Sequence, residues 1–391
     1  LIRTENNDIK FSLERDIPTQ PVVGPPAPVH TGQGPLMDII DRLSRPDDAA
    51  DKKSPLDRLQ SVEIRQARMV MEDYRLGITW FLFPLDLVFA RDDKGLVMTV
   101  SAALPGGRDE ASHIQADVVY ARDSRDFLAN IHVQDFDPHV LSRKIEALDW
   151  FNNQSTIVNG NIELAFDGNL TVHKAAISLS SMDGRLSLDG LYDDPLPFKE
   201  LFLEAYYDRA EQLVDLKQLS LNTGDVRIIA AAPVSLAEHS FSAPVTVKIP
   251  ELAQEKISPL WPDSLRGDGA EIWLTQKLSA GRFYDIQTQF LVNAVQKEDR
   301  QAVDIDNIVV DFSVENMTID YRAPLAAITK ASGSGHFEHD VLTIDIDAAH
   351  LLDTDITRGK VSLDHIIEGS GTAVIDIGLN GPLKSVLGYI A

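Results

Sequence analysis

Short segments in which apolar and polar residues alternate recur from about Ile64 to the end of the chain, and few architectures can use such a pattern. In Ile162, Leu164 and Phe166 the apolar side chains stand two apart, with Glu163 and Ala165 between them. Successive side chains of an extended strand point to opposite faces, so this spacing makes one face apolar and leaves the other to solvent. The pattern returns at Leu186 and Leu188, Leu219 and Leu221, Val226 and Ile228, then Ile308, Val310, Phe312 and Val314, and finally Leu342, Ile344 and Ile346. Turn-forming residues separate these pieces: Asp167-Gly168-Asn169, Asp183-Gly184, Asp189-Gly190 and Asn222-Thr223-Gly224. That is the spacing of hairpins and meanders, and it predicts a long antiparallel sheet.

With 391 residues the chain has room for two or three ordinary domains, although one extended sheet can absorb the same length. Sixty acidic against 36 basic residues give a formal charge of -24, which repels nucleic-acid phosphates and anionic membrane surfaces alike. Nucleic acid is thereby excluded as a partner. There is no cysteine, so disulfides and thiol chemistry are excluded too. The longest apolar stretch, Ile78 to Ala90, contains Pro84 and Asp86 and falls short of the roughly 20 residues that span a bilayer. The chain starts at Leu1 with no basic region before an apolar core, so any signal or anchor is expected outside these residues.

Residues 1–55 are predicted to hold a strand at Ile9 to Leu13, an extended Pro18 to Pro28 segment, a short amphipathic helix over Gly34 to Leu43, and a charged loop. Residues 56–391 divide into strand blocks at about 62–133, 157–249 and 283–391. The first block reads as strands Val62 to Ile64, Arg68 to Tyr74, Gly77 to Phe81, Leu85 to Ala90 and Leu96 to Ala102, continued by His113 to Ala121 and Phe127 to Val133. A helix over about 138–151 is expected to cap one end of the sheet, and a second over about 264–278 is expected to stop at Gly281. No strict repeat period is present.

Candidate chemistry is sparse. His336, Glu338 and His339 are close in sequence, but on a strand His339 points away from the other two, which spoils metal ligation and favours an exposed polar edge. Asp304/Asp306, Asp345/Asp347 and Asp353/Asp355 each place two carboxylates on one extended face without the spacing of a calcium loop, and read as solvated faces. Gly333-Ser334-Gly335 and Gly369-Ser370-Gly371 lack the context of a nucleophile elbow and read as turns. No phosphate-cradling loop occurs. The aromatic residues Trp80, Phe81, Phe83, Trp150, Phe151, Trp261 and Trp273 are expected in the core. The residues thus predict no enzyme, no cofactor and no metal.

Pro259-Leu260-Trp261-Pro262, Leu265, Trp273-Leu274, Lys277-Leu278 and Gly281, followed by Tyr321-Arg322-Ala323-Pro324, resemble the signature of AsmA-like proteins, in particular the YhdP branch. Val62-Glu63-Ile64 with Ala67, Asp73 and Trp80 before Leu85-Asp86-Leu87, and Gly378-Leu379-Asn380-Gly381-Pro382-Leu383, extend the resemblance over Leu56 to Ala391. It implies a repeating β-groove protein of the Gram-negative envelope, anchored in the inner membrane by an N-terminal helix absent from this chain and projecting into the periplasm. Such proteins are thought to carry phospholipid between inner and outer membranes along a hydrophobic trough, and the resemblance brings no catalytic residues with it.

The expected fold is therefore mainly β: an extended, curved antiparallel sheet forming a hydrophobic groove, with a few short amphipathic helices. The expected function is a non-enzymatic segment of an outer-membrane biogenesis lipid-transport protein whose partner is phospholipid or another acyl lipid. The groove lining is expected to be Ile162, Leu164, Phe166, Leu186, Leu188, Leu219, Leu221, Val226, Ile228, Val310, Phe312, Val314, Leu342, Ile344 and Ile346. The alternative is a structural scaffold for outer-membrane protein assembly that binds envelope proteins through a sheet edge.

Overall fold

The computed structural model describes residues 2–3, 9–10, 35–44, 59–73, 78–104, 112–138, 156–169, 171–188, 191–238, 240–267, 269–297, 300–320, 326–365 and 372–382. The proline-rich segment, the charged loop after residue 44, the helix expected at 138–151 beyond its first residue, Asp189-Gly190, the Tyr321 to Pro324 motif and Gly369-Ser370-Gly371 lie outside the described residues. The chain forms two compact units, one of residues 1–182 and 205–211, the other of residues 183–204 and 212–391.

The first unit holds β1 (Ile2–Arg3), β2 (Ile9–Lys10), helix α1 (Pro35–Leu43), β3 (Ser61–Asp73), β4 (Ile78–Arg91), β5 (Gly95–Leu104), β6 (Ser112–Ala121), β7 (Asp126–Phe136), β8 (Val158–Asp167) and most of β9 (Val172–Leu186). From β3 to β9 each strand pairs antiparallel with the next, and among the described residues of this unit the two-residue β1 alone pairs parallel, with β3. The turns follow side-chain chemistry. Asp92 Oδ1 accepts the N–H of Lys94 and Gly95, and Asp167 Oδ1 accepts those of Asn169 and Thr171, so the carboxylate closes each turn.

The division between the units falls within β9 and within β10 (Leu196–Asp208). The second unit then runs through β11 (Leu213–Asn222), β12 (Arg227–Ala237), β13 (Ser240–Ala253), β14 (Leu278–Ser279), β15 (Arg282–Lys297), β16 (Arg300–Ile319), β17 (Ile328–Glu338), β18 (Val341–Leu351), β19 (Thr354–Asp364) and β20 (Ala373–Asn380). Pairing is antiparallel throughout this run, with β13 joined directly to β15 and β14 added to β16. Both units are therefore antiparallel sheet with few helices, as the alternation predicts.

Several local expectations are corrected. The four short strands between Val62 and Ala90 are two long ones: in β3 Gln66 takes up the irregularity as a bulge at φ 51° where a break was expected, and in β4 the extra residue falls between Leu82 and Leu85 without ending the strand. Asp135, Asp285, Asn316 and Lys330 do the same at other register shifts, with φ between 50° and 57° for three of them and 48° at Asp285. Asp183-Gly184 and Gly333-Ser334-Gly335 are not turns. They lie inside β9 and β17, where glycine makes room for a neighbouring ring. A Cβ on Gly335 would stand 2.1 Å from the Phe312 ring, and one on Gly184 would stand 2.3 Å from that of Phe198. Glycine in these strands is a seat for an aromatic side chain. Leu188 lies beyond the end of β9, and Asp353 sits in a turn, not beside Asp355 on a strand face.

The helix expected over about 264–278 is a broken run: 3-10 turns at Gln254–Lys256 and Asp263–Leu265, helices α2 (Ile257–Leu260) and α3 (Gly269–Ile272), and a π-helical turn at Trp273–Lys277. Pro262 and Gly267, the latter at φ +85°, interrupt it. Gly281 serves a turn into β15 at φ +67° and does not cap the helix. Trp261 and Trp273 pack into the core of the second unit as expected. Phe81 and Phe83 do not: both are more than half exposed, and the Arg68 guanidinium lies 4.9 Å from the Phe83 ring centre.

Candidate functional site

Register turns the alternation into continuous surfaces. In the first unit Ile64, Leu87, Val100, Ala116, Ile131, Ile162 and Ile177 are successive cross-strand partners, one from each of β3 to β9. The row beside it is Val62, Phe89, Met98, Val118, Ala129, Leu164 and Ala175. On its other side lie Ala67, Leu85, Ala102, Ile114, Val133, Gly160 and Leu179. Three adjacent rows therefore cross seven strands without a polar side chain. The opposite face carries Asp86, Ser101, Gln115, His132, Asn161 and Ser178 as one row. It is not wholly polar, because Val119 and Leu128 pair on that side and are 41% and 58% exposed.

The apolar face is neither sealed nor bare. Apart from Ile64, which is 42% exposed, the residues of the first row are half-buried. Their neighbours cover part of each side chain, and no described helix lies over them. One end is covered by α1, whose Met37 is buried against Leu96 and Tyr120, with Ile40, Leu43, Phe89 and Phe127 around it. Beneath the helix the Tyr120 and Phe127 rings are 4.8 Å apart, and Phe127 stacks on Phe166 at 5.1 Å. Asp41 holds the helix in place: its carboxylate accepts the Tyr120 hydroxyl at 2.5 Å and Arg125 Nη2 at 2.9 Å. Burial, reinforced by the bond to Asp41, pushes the Tyr120 phenol up to about 12, so it stays a donor at physiological pH.

The second unit repeats the design. Leu219, Ala230, Val247, Thr288, Val310, Phe337, Leu342, Leu363 and Ala373 form one row from β11 to β20, with Thr288 its single polar member. Phe312, Gly335, Ile344, Val361 and Ile375 form the next over β16 to β20. The helical run between β13 and β15 covers one end, with Ile257 and Leu278 buried beside Phe283, Met317, Ile346 and Ile356.

The expected lining residues thus fall into three settings. Ile162, Leu164 and Phe166 lie on the half-buried face of the first unit. Val310, Phe312, Val314, Leu342, Ile344 and Ile346 share the apolar face of the second, where Leu342 and Ile346 are buried and the other four half-buried. Leu186 and Leu221 are buried with Phe198, and Leu188 and Ile228 pack on that cluster. Val226 is buried and Leu219 half-buried. The lining expected from sequence includes no residue of β3 to β7, nor Phe337, Leu363 or the α1 contacts. Their alternation was visible, but their partners are set by register.

In the second unit two sets of titratable groups pair on the polar side. His336 Nδ1 is 2.7 Å from Asp311 and its Nε2 3.7 Å from Glu338; Arg282 lies between Glu251 and Glu315 at 3.0 and 3.1 Å. Among the described residues no group of three or more His, Asp or Glu is placed to hold a metal ion. No curated protein and no solved structure matches the chain. The family model described as YhdP protein matches residues 128–391, which takes in β8, nearly all of β7 and every later strand. That match spans well over half of the sequence, and with the antiparallel sheet and its apolar rows it places the chain in the YhdP family.

Proposed function

We propose that this chain is a non-enzymatic segment of a periplasmic lipid-transfer protein, tethered to the inner membrane by parts outside it, that carries phospholipid acyl chains along its apolar face between the inner and outer membranes. The observation that carries this reading is the unbroken apolar row from Ile64 to Ile177, half-buried over most of its length. Exposing a 16-carbon acyl chain to water costs about 13 kcal/mol at roughly 0.8 kcal/mol per methylene, and a continuous apolar floor removes most of that cost. Sliding further requires successive positions of similar energy. Rows of Ile, Leu, Val and Ala without a charged side chain meet that need. The family membership supports the same reading.

The test is photo-crosslinking in the cell envelope with a reactive side chain at Leu164 and, as opposite-face control, at Glu163. Phospholipid captured at Leu164 and not at Glu163 is expected. A folded protein that captures none at either position overturns the proposal. A scaffold role has its own supporting observation: Arg300 to Asp306 of β16 pair with β15 on one side only among the described residues, and Val303 and Ile305 there are 58% and 53% exposed. Such an edge can accept a strand from another protein. Crosslinks from Val303 to an envelope protein, with no lipid at Leu164, would favour it.

A further inference from the structure

Helix α1 sits at the end of the first unit's apolar face as an amphiphilic ligand would. Met37 supplies the apolar group, buried on Leu96 and Tyr120. Asp41 supplies the oxyanion, one oxygen on the Tyr120 hydroxyl and the other on Arg125. The Ser44 carbonyl, at the end of the helix, accepts from Arg122 Nε. Arg122 keeps a further donor, Nη2, buried and without a hydrogen-bond partner among the described residues. A phenol and two guanidiniums beside an aromatic floor are the groups an anionic head with an acyl chain needs, and they stand out in a chain of formal charge -24.

We propose that Tyr120, Arg122 and Arg125, with Phe127 and Phe166 as floor, form a binding site for an oxyanion head group carrying an acyl chain, and that α1 is an internal competitor displaced when that ligand enters. This rests on the lipid reading above and adds to it a head-group site and a gate. Asp41 and the head group compete for the same donors, so the two partners of one ion pair have opposite roles. Removing the carboxylate opens the site, whereas removing the guanidinium destroys it. A helix that merely props up the sheet would respond alike to both changes.

The experiment places a photoreactive phenylalanine analogue at Phe166, under the end covered by α1, or at Ile162, away from it, and exposes the purified chain to phosphatidylglycerol vesicles. Asp41→Asn is expected to raise capture at Phe166 and Arg125→Gln to lower it, each by about fivefold, with capture at Ile162 unchanged. Met37→Cys with Gly168→Cys provides a lock, since a Cβ at position 168 would lie 3.4 Å from Met37 Cγ and the chain has no other cysteine. Oxidation should abolish capture at Phe166, and reduction restore it. Diacylglycerol, which lacks the oxyanion, should be indifferent to Arg125→Gln. Oleate captured in place of phosphatidylglycerol would support the site and assign its head group as a carboxylate. Inorganic phosphate blocking capture at Phe166 would also support it, by showing that the head group supplies the contact. Equal capture at Phe166 in Asp41→Asn, Arg125→Gln and the oxidised lock, with lipid still found at Ile162, overturns this inference alone. No capture at Ile162 in any form overturns the lipid reading itself.

Discussion

The two units close the ends of their apolar faces by different means. In the second unit the cover is an excursion within the sheet: β13 and β15 pair directly, Ala253 opposite Arg282, and the chain between them folds over the end. Both ends of that cover are tied to neighbouring strands, and Ile257 and Leu278 are buried in a core shared with Met317 and Ile356, each 1% exposed. In the first unit the cover is the nine-residue α1, whose Asp41 reaches a tyrosine 79 positions along the chain. A helix of that length is not stable alone, so it exists where it is docked. One cover is therefore part of the core, while the other is held by a few side chains and can be let go.

The largest expected effect separates core from floor. Ile356→Ala should lower stability to urea by about 2–5 kcal/mol, because it empties a fully enclosed site. Ile131→Ala, half-buried in the first unit's floor, should cost clearly less, since water already reaches it. Equal losses in urea titrations would mean that both faces are closed cores.

Gly335→Ala comes next, at about 1–3 kcal/mol from overpacking against the Phe312 ring. Adding Phe312→Leu should recover part of the loss, and a double-mutant cycle with no coupling would refute the ring-on-glycine seat. Tyr120→Phe removes the hydroxyl that binds Asp41, worth about 1.5–3 kcal/mol for a bond to a charged group. Its effect should be confined to faster amide exchange in α1, whereas a fall in the urea midpoint of the whole chain would make α1 part of the core.

The smallest effect is a pH dependence in the second unit. The hydrogen bond to Asp311 holds His336 above its ordinary value of 6.5, so its contribution is fully present below that value and is lost as pH rises through the raised one. The pair is half exposed, so His336→Gln should cost less than about 1 kcal/mol at pH 5.5 and nothing at pH 9. Loss that grows with pH would reverse the assignment.

Much of the fold is legible in the residues. The period of two at Ile162 to Phe166 and at Leu342 to Ile346 assigns strands and faces, since an extended backbone alternates its side chains whatever surrounds it. Asp92 and Asp167 announce their turns because a short carboxylate closes them locally. Where local chemistry is ambiguous the reading fails. Gly333-Ser334-Gly335 has the composition of a turn, yet it is strand because β16 and β18 pair with it on both sides, and its Gly335 is there to leave space for the distant Phe312. Gln66 marks no break, because a bulge costs less than ending a strand whose partners continue on both sides of it.

The candidate site divides in the same way. The alternation by itself determined that each strand has an apolar face, because that follows from backbone geometry alone. It could not determine that Ile64 and Ile177, at the two ends of a row that crosses seven strands, belong together, because register is decided by every pairing between them. Nor could it show that Met37 and Asp41 would lie on Leu96 and Tyr120. That contact joins distant parts of the chain, and only the assembled sheet brings the phenol, the guanidiniums and the apolar floor to one place.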